Sequence, residues 1–435
     1  MQANDLSGLG KLTGRALSAG TSRIGELHAN IASRVFRAVG PLSRPVQVVH
    51  DRLTAAAYGT VAKVLDGSSR GLGEVAARRT GAGSGSRSEQ RLADHPTGRV
   101  LLAVLNGAHG DLIEREIAEL ALPMALRIAG HDLPAVPAAL AGAYPEATPR
   151  LAVFLHGLVE TEDAWRYRAE QHHGDRSVTY GSLLHRDLGY TPIWVRYNTG
   201  LRISDNGRLL DALLDALVEA WPVPVEDVVL IGHSMGGLVA RSALHTGGGG
   251  TPAGERRWPG LVRDTITLGS PHLGAPLEQG ANVLTHLLGR LGETRPLANV
   301  LAARSVGIKD LRYGNLSEDD WQGHDPDALL TNTRTDIPLH DGARHFAVVA
   351  TLAGDADAPI GDLLGDLLVR PKSAYGDSGD VHRMAFPADH IARLSGLHHF
   401  DLLNHPRVYE RMLAWLRTSQ PERQQEPGSS TLVDA

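Results

Sequence analysis

Val228-Val229-Leu230-Ile231-Gly232-His233-Ser234-Met235-Gly236-Gly237 is the stretch on which the reading of this chain turns. Its first four residues form a short β-rich run, and Leu238, Val239 and Ala240 beyond the glycines open a helical pattern. Between strand and helix stands a serine with glycine two residues to either side. That is the pattern of a sharp, strained turn, where only glycine lets strand and helix approach closely. Such a turn lifts the hydroxyl clear of a sheet and leaves the Met235 N–H where negative charge on an attacked carbonyl oxygen would gather. Ser234 is the candidate nucleophile and Met235 a candidate oxyanion donor. Spacing alone does not decide this, because Gly67-Ser68-Ser69-Arg70-Gly71 has the same pattern. That second match follows a helix-like run and leads into no apolar helix, so it reads as chance.

Working outward, four more short β-rich runs accompany Val228–Ile231: Leu151–Leu155, Pro192–Arg196, Thr265–Leu268 and Phe346–Thr351. Continuous apolar runs of this length are what a parallel sheet buried on both faces requires. Arg202 to Ala220 fits a crossover helix, with Leu209, Leu210, Leu213, Leu214 and Leu217 on one stripe. Strand–helix alternation predicts an α/β fold with a doubly wound, mostly parallel sheet. Ligands of such sheets sit at the carboxyl ends of the strands.

A reactive serine needs a second oxyanion donor, a general base and an acid to orient that base. His156-Gly157-Leu158 follows the first run and offers the Leu158 N–H as the second donor. The base is expected late in the chain, where Gly396-Leu397-His398-His399-Phe400-Asp401 precedes a final helix from Pro406 to Leu416. His399 is the first choice and His398 the alternative. The acid is expected after Phe346–Thr351, where Asp355, Asp357, Asp362 and Asp366 compete. Asp366 is the first choice, with Asp357 the alternative.

Composition bounds what else the chain can be. Its 435 residues are 42% hydrophobic and 21% charged, an ordinary globular balance. A formal net charge of −6 argues against nucleic acid as the main partner. The absence of cysteine removes disulfides, thiolate metal sites and a cysteine nucleophile. No apolar run approaches the roughly 18–20 residues of a spanning helix, and Met1 to Gly20 has no apolar core of a signal peptide. A cytoplasmic location is the expectation.

Three breaks divide the chain. Thr80 to Ser88 is small and polar and reads as a flexible linker; Thr246 to Gly254 reads as a surface loop; the tail after Arg417 is rich in Gln, Glu, Pro and Ser. The expected organisation is an N-terminal helical extension over 1–79, a linker over 80–95, the α/β domain over 96–417 and a disordered tail over 418–435. In the extension, Ile24, Leu27, Ile31, Val35 and Val39 recur at helical spacing, as do Val49, Leu53 and Ala57. Packing on the main domain is the expected role, and peripheral contact with a membrane surface is the alternative.

His156-Gly157, the Gly232–Gly237 turn, Ser270-Pro271-His272-Leu273-Gly274 and His399-Phe400-Asp401-Leu402-Leu403 together resemble the α/β-hydrolase lipases and esterases. Within that superfamily they are similar to bacterial triacylglycerol lipases and GPI inositol-deacylase-like enzymes, over roughly Leu151 to Leu416. The resemblance implies an α/β-hydrolase fold and ester hydrolysis through an acyl-serine intermediate without metal or other cofactor, with His272 structural. Leu367 stands where those enzymes usually place a glycine after the acid. Acyl transfer or thioester hydrolysis would use the same groups, and a non-catalytic lipid- or partner-binding relative is the rival of another class. The insertion from about 277 to 344 exceeds an ordinary loop and suggests a helical cap. Its run from Ala281 to Leu291 carries Val283, Leu284, Leu287, Leu288 and Leu291, which favours small-molecule ester or lipid substrates with acyl chains.

Overall fold

A computed structural model of the chain describes residues 96–116, 121–249, 256–275, 304–328, 331–352, 366, 369, 371–374, 376, 384 and 386–418. The expectations for 1–95, for the apolar run 281–291, for Asp355, Asp357 and Asp362, and for 419–435 lie outside the described residues.

In chain order the elements are α1 (Pro96–Glu116), β1 (Ala125–Ile128), β2 (His131–Leu133), α2 (Pro137–Ala143), β3 (Arg150–Leu155), α3 (Ala169–His173), α4 (Tyr180–Leu188), β4 (Thr191–Arg196) and α5 (Ile203–Ala220). They continue with β5 (Asp227–His233), α6 (Met235–Gly247), β6 (Val262–Leu268), α7 (Val306–Asp310), β7 (Arg344–Thr351), α8 (Pro371–Ala374), β8 (Ile391–Ser395) and α9 (Pro406–Thr418). Short 3₁₀ turns at Glu162–Arg166 and His399–Leu403 bear on the site.

The eight strands form one sheet in the order β2-β1-β4-β3-β5-β6-β7-β8. From β4 to β8 all neighbours are parallel, while β1 pairs antiparallel with both β2 and β4. The apolar strands are continuous because both faces are covered. On β3, Leu151, Val153 and Leu155 join the core under α5 and α6, while Ala152 and Phe154 join the core under α4 and α9. β5 divides the same way, Val228 and Leu230 to one side and Val229 and Ile231 to the other. Sequence order reverses between β3 and β5, so the crevice at their carboxyl ends is where a doubly wound sheet places its ligand.

All five expected strands and the crossover helix are present. Two details differ. Leu209, expected on the buried stripe of α5, is 45% exposed, because the stripe narrows to Leu210, Leu214 and Leu217. The loop expected from Thr246 begins later: α6 runs through Gly247, and the Thr246 hydroxyl donates to the Ser242 carbonyl one turn back (3.0 Å). Strands β1, β2 and β8 were not anticipated. In β1 a buried Arg127 interrupts the apolar run, its Nε donating to Glu162 Oε1 at 2.7 Å and its other nitrogens bonding Asp132 and the Gly130 carbonyl. Ala129 and Gly130, both at positive φ, close the β1–β2 hairpin in two residues.

From the insertion, α7 docks where the strands end. Ser305 Oγ donates to the Gly107 carbonyl of α1 (2.7 Å), and the buried Asp310 accepts from Arg202 Nη1 (2.9 Å) and the Ile203 N–H (3.0 Å). Burial pushes the Asp310 carboxyl up to about 7 despite those partners. Among the described residues no helix is long and apolar enough to cross a membrane.

Candidate active site

The turn after β5 is strained at the serine. Ser234 has φ 52° and ψ −120°, a region that L-residues rarely occupy. Two close approaches hold it there. A Cβ on Gly232 would lie 2.4 Å from the Gly237 nitrogen, and one on Gly236 would lie 2.3 Å from the Leu155 carbonyl oxygen. The Ser234 N–H donates across to the Leu268 carbonyl of β6 (2.9 Å). From Val228 to Leu244, Ser234 alone is not fully buried. The sequence thus buries nearly all of a strand and a helix and leaves Ser234 incompletely covered at the corner between them.

Beside the corner lies the loop after β3. His156 is buried, stacks on Tyr197 with ring centroids 4.4 Å apart, and donates from Nδ1 to the Gly157 carbonyl (2.9 Å). Burial holds His156 below its ordinary value, which keeps it neutral for that arrangement. The Gly157 carbonyl also accepts the Glu160 N–H (3.3 Å). A trans peptide is planar, so fixing this carbonyl aims the Leu158 N–H the opposite way. Among the described residues neither the Leu158 N–H nor the Met235 N–H meets an acceptor. The next residue, Val159, has φ 57°, unusual for a β-branched side chain, and packs against α1 at Gly107.

The late histidine and the acid come from the ends of β8 and β7. His399 Nδ1 lies 2.6 Å from Asp366 Oδ2, and both side chains are buried. The backbone sets this pair: the His399 N–H donates to the Asp366 carbonyl (3.3 Å), and Asp366 Oδ1 accepts the Val369 N–H (2.8 Å). Burial would lower the His399 imidazole, but the Asp366 charge and hydrogen bond outweigh it and leave the group above its ordinary value. A Cβ on Gly269 would lie 3.1 Å from the His399 ring, which puts the imidazole against the backbone that follows the Leu268 carbonyl.

His398 faces elsewhere. It caps the 3₁₀ turn, its N–H donating to Asp401 Oδ2 (3.0 Å) while its ring accepts the Asp401 N–H (3.3 Å). Burial lowers it, and its ring is partly open to solvent. Its neighbours tie the turn to a distant part of the chain. Arg168 Nη1 meets Asp401 Oδ1 at 2.9 Å, and the Tyr180 hydroxyl donates to the Leu402 carbonyl 222 residues away (3.1 Å). Asn404 Nδ2 donates to the Val178 carbonyl (2.9 Å).

His272 lies buried between Arg241 and Thr267, and burial holds it well below its ordinary value. It braces β6 against α6. The sequence did not single out Glu160 or His233 as interacting groups. Glu160 Oε2 accepts the Gly157 N–H (2.6 Å) and faces His233 Nδ1 (3.1 Å), while His233 Nε2 faces the His399 carbonyl (3.2 Å). Glutamate three residues beyond the Gly157 loop start is a local signal, but its partner lies 73 residues on.

Residues 154–321 match the family model described as PGAP1-like alpha/beta domain. Among solved structures the chain is similar to a Bacillus licheniformis lipase in propeptide form, at 19% identity over 67% of this chain and 54% of that one, with a TM-score of 0.38. It is also similar to phospholipase PlaB from Legionella pneumophila (14% identity, 63% of each chain, TM-score 0.36). A third is a Pyrococcus furiosus esterase (12% identity, 63% of this chain and 83% of that one, TM-score 0.32). The chain thus spans less than two thirds of the length of the first two. No curated protein matches it. The strand order and the family match together show an α/β-hydrolase fold.

Proposed function

We propose that the chain is a serine hydrolase of carboxylic esters acting through an acyl-serine intermediate. His399 takes the Ser234 proton as the oxygen attacks the ester carbonyl. The Met235 and Leu158 N–H groups receive the developing oxyanion, and Asp366 holds the imidazole with its proton on Nδ1 and balances its charge. The alkoxy group leaves with the proton from His399, and water then enters by the same base to release the acid. The observation that supports this reading is the buried 2.6 Å contact of Asp366 with His399, together with a strained elbow at which Ser234 alone is incompletely buried.

An acyl substrate suits the apolar run from Ala281 to Leu291 within the insertion, and esters of lipids fall within that class. The test is turnover of a p-nitrophenyl ester series of increasing chain length, with fluorophosphonate labelling of the serine. Ser234→Ala is expected to abolish labelling and to reduce kcat by several orders of magnitude. Undiminished turnover in that variant overturns the proposal.

A further inference from the structure

Glu160 and His233 are buried and ionisable, and the steps above use neither. Removing a carboxylate and an imidazole from water is unfavourable, and an apolar pair of the same volume is often as stable. Where their bonds end is therefore informative. Glu160 Oε2 takes the Gly157 N–H at 2.6 Å, one residue before Leu158. Its own N–H holds the Gly157 carbonyl, whose orientation aims the Leu158 N–H. His233 immediately precedes Ser234, and its ring faces Glu160 through Nδ1 and the His399 carbonyl through Nε2, with the two imidazole centroids 4.7 Å apart. Burial would push the Glu160 carboxyl up, but the His233 ring and the Gly157 N–H hold it below the ordinary carboxylate value, as an acceptor.

We infer that Glu160 and His233 are positioning residues, a buried carboxylate–imidazole pair that clamps the oxyanion loop and the base-bearing turn onto the nucleophile corner. The inference rests on the roles proposed above for Ser234, His399 and Leu158. It gives Glu160 two tasks on one residue, its side chain holding the Gly157 N–H and its main chain the Gly157 carbonyl. It makes His233 the strut between the elbow and the backbone of His399. A loosened clamp leaves all three reacting groups present but misaligned, and misplacement of about 1 Å can cost about a hundredfold in rate.

The test is the rate of labelling by a small fluorophosphonate, together with kcat and KM on a soluble ester, for the full chain and its Glu160→Ala, Glu160→Gln, His233→Ala and Ser234→Ala variants. Glu160→Ala and His233→Ala are expected to slow labelling and kcat by about tenfold or more with KM within about twofold. Glu160→Gln keeps the shape and an acceptor for the Gly157 N–H, and is expected to recover part of the loss. A purely structural pair would lower the unfolding temperature and leave the labelling rate of the folded fraction unchanged. Labelling within twofold of the parent chain in both Glu160→Gln and Glu160→Ala, with circular dichroism unchanged, overturns the inference. Should Glu160→Ala not fold, Glu160→Gln and His233→Ala decide it by the same criterion. Labelling that survives Ser234→Ala would instead refute the proposed function, so the two failures are separable.

Discussion

Gly107 of α1 faces the loop that carries Leu158, and replacing it by alanine sets two effects against each other. A Cβ there would lie 2.4 Å from Val159 Cγ1 and 3.3 Å from both the Val159 Cα and the Thr199 hydroxyl. Ordinary contact for such a carbon begins at 3.4 Å, so the valine methyl must retreat by about 1 Å. Helix propensity favours alanine by about 1 kcal/mol, while overpacking costs about 1–3 kcal/mol. Val159 is 40% exposed, so its methyl has somewhere to go, but its stiff χ1 and its φ of 57° make the backbone move with it. The expected outcome is a net destabilisation of about 0–2 kcal/mol by urea unfolding, the difference of those two effects. The larger consequence falls on the neighbouring peptide: turning the Leu158 N–H out of line is expected to lower kcat by about 10- to 100-fold, up to the loss of one oxyanion donor. KM should stay nearly constant. In the double variant Gly107→Ala/Val159→Ala the truncated side chain removes the clash, so kcat should return towards that of Val159→Ala. Parental kcat in Gly107→Ala, or equal losses with and without Val159, would refute the link between α1 and the oxyanion loop.

Two further outcomes follow from the charges. Asp366 raises His399, and the base must be neutral to act, so kcat/KM should fall as pH drops through a value above the histidine norm of 6.5. Asp366→Asn leaves burial as the dominant influence, moving that limb to lower pH and reducing kcat by about 10³–10⁴, as a pH–rate profile would register. Arg241 is buried with an unpartnered Nε, and burial together with nearby Arg334 holds it down to about 9. A base depressed by folding loses stability as pH falls from its ordinary value to its folded value and none further below it, so the penalty is fully present at pH 7. Arg241→Met should then be neutral or stabilising by about 1–2 kcal/mol in urea unfolding at pH 7, and a loss above 1 kcal/mol would show the charge to be compensated.

Much of the architecture is legible because both faces of the sheet are covered, which turns β3, β4, β5, β6 and β7 into apolar runs. β1 and β8 escape that rule. Arg127 and Arg393 sit within four- and five-residue strands, and β2 is a three-residue partner of polar character. At the corner, glycine spacing around Ser234 is a local signal, since the required close approaches fall two residues to either side. The choice between His398 and His399 is not local in that sense, yet His398 stands three residues before Asp401, the spacing of a capping box, which assigns it to the turn. Four aspartates after β7 have no comparable distinguishing pattern. Asp366 meets His399, 33 positions on, through both side chain and backbone, while the other three lie outside the described residues. Glu160 and His233 are hidden for the same reason, since their meaning lies in contacts made across strands.

The ties from Arg168, Val178 and Tyr180 to the turn after His399 have a temporal consequence. Tyr180 must wait for Leu402, 222 residues later, and synthesis at about 5–20 residues per second separates the two by about ten to forty seconds. Through that interval the nascent polypeptide carries its serine corner without the imidazole and without the wall that holds it. Competence would therefore arrive all at once, when the last strand and helix dock, and a ribosome-stalled or C-terminally clipped chain should be inert however well its earlier strands have paired.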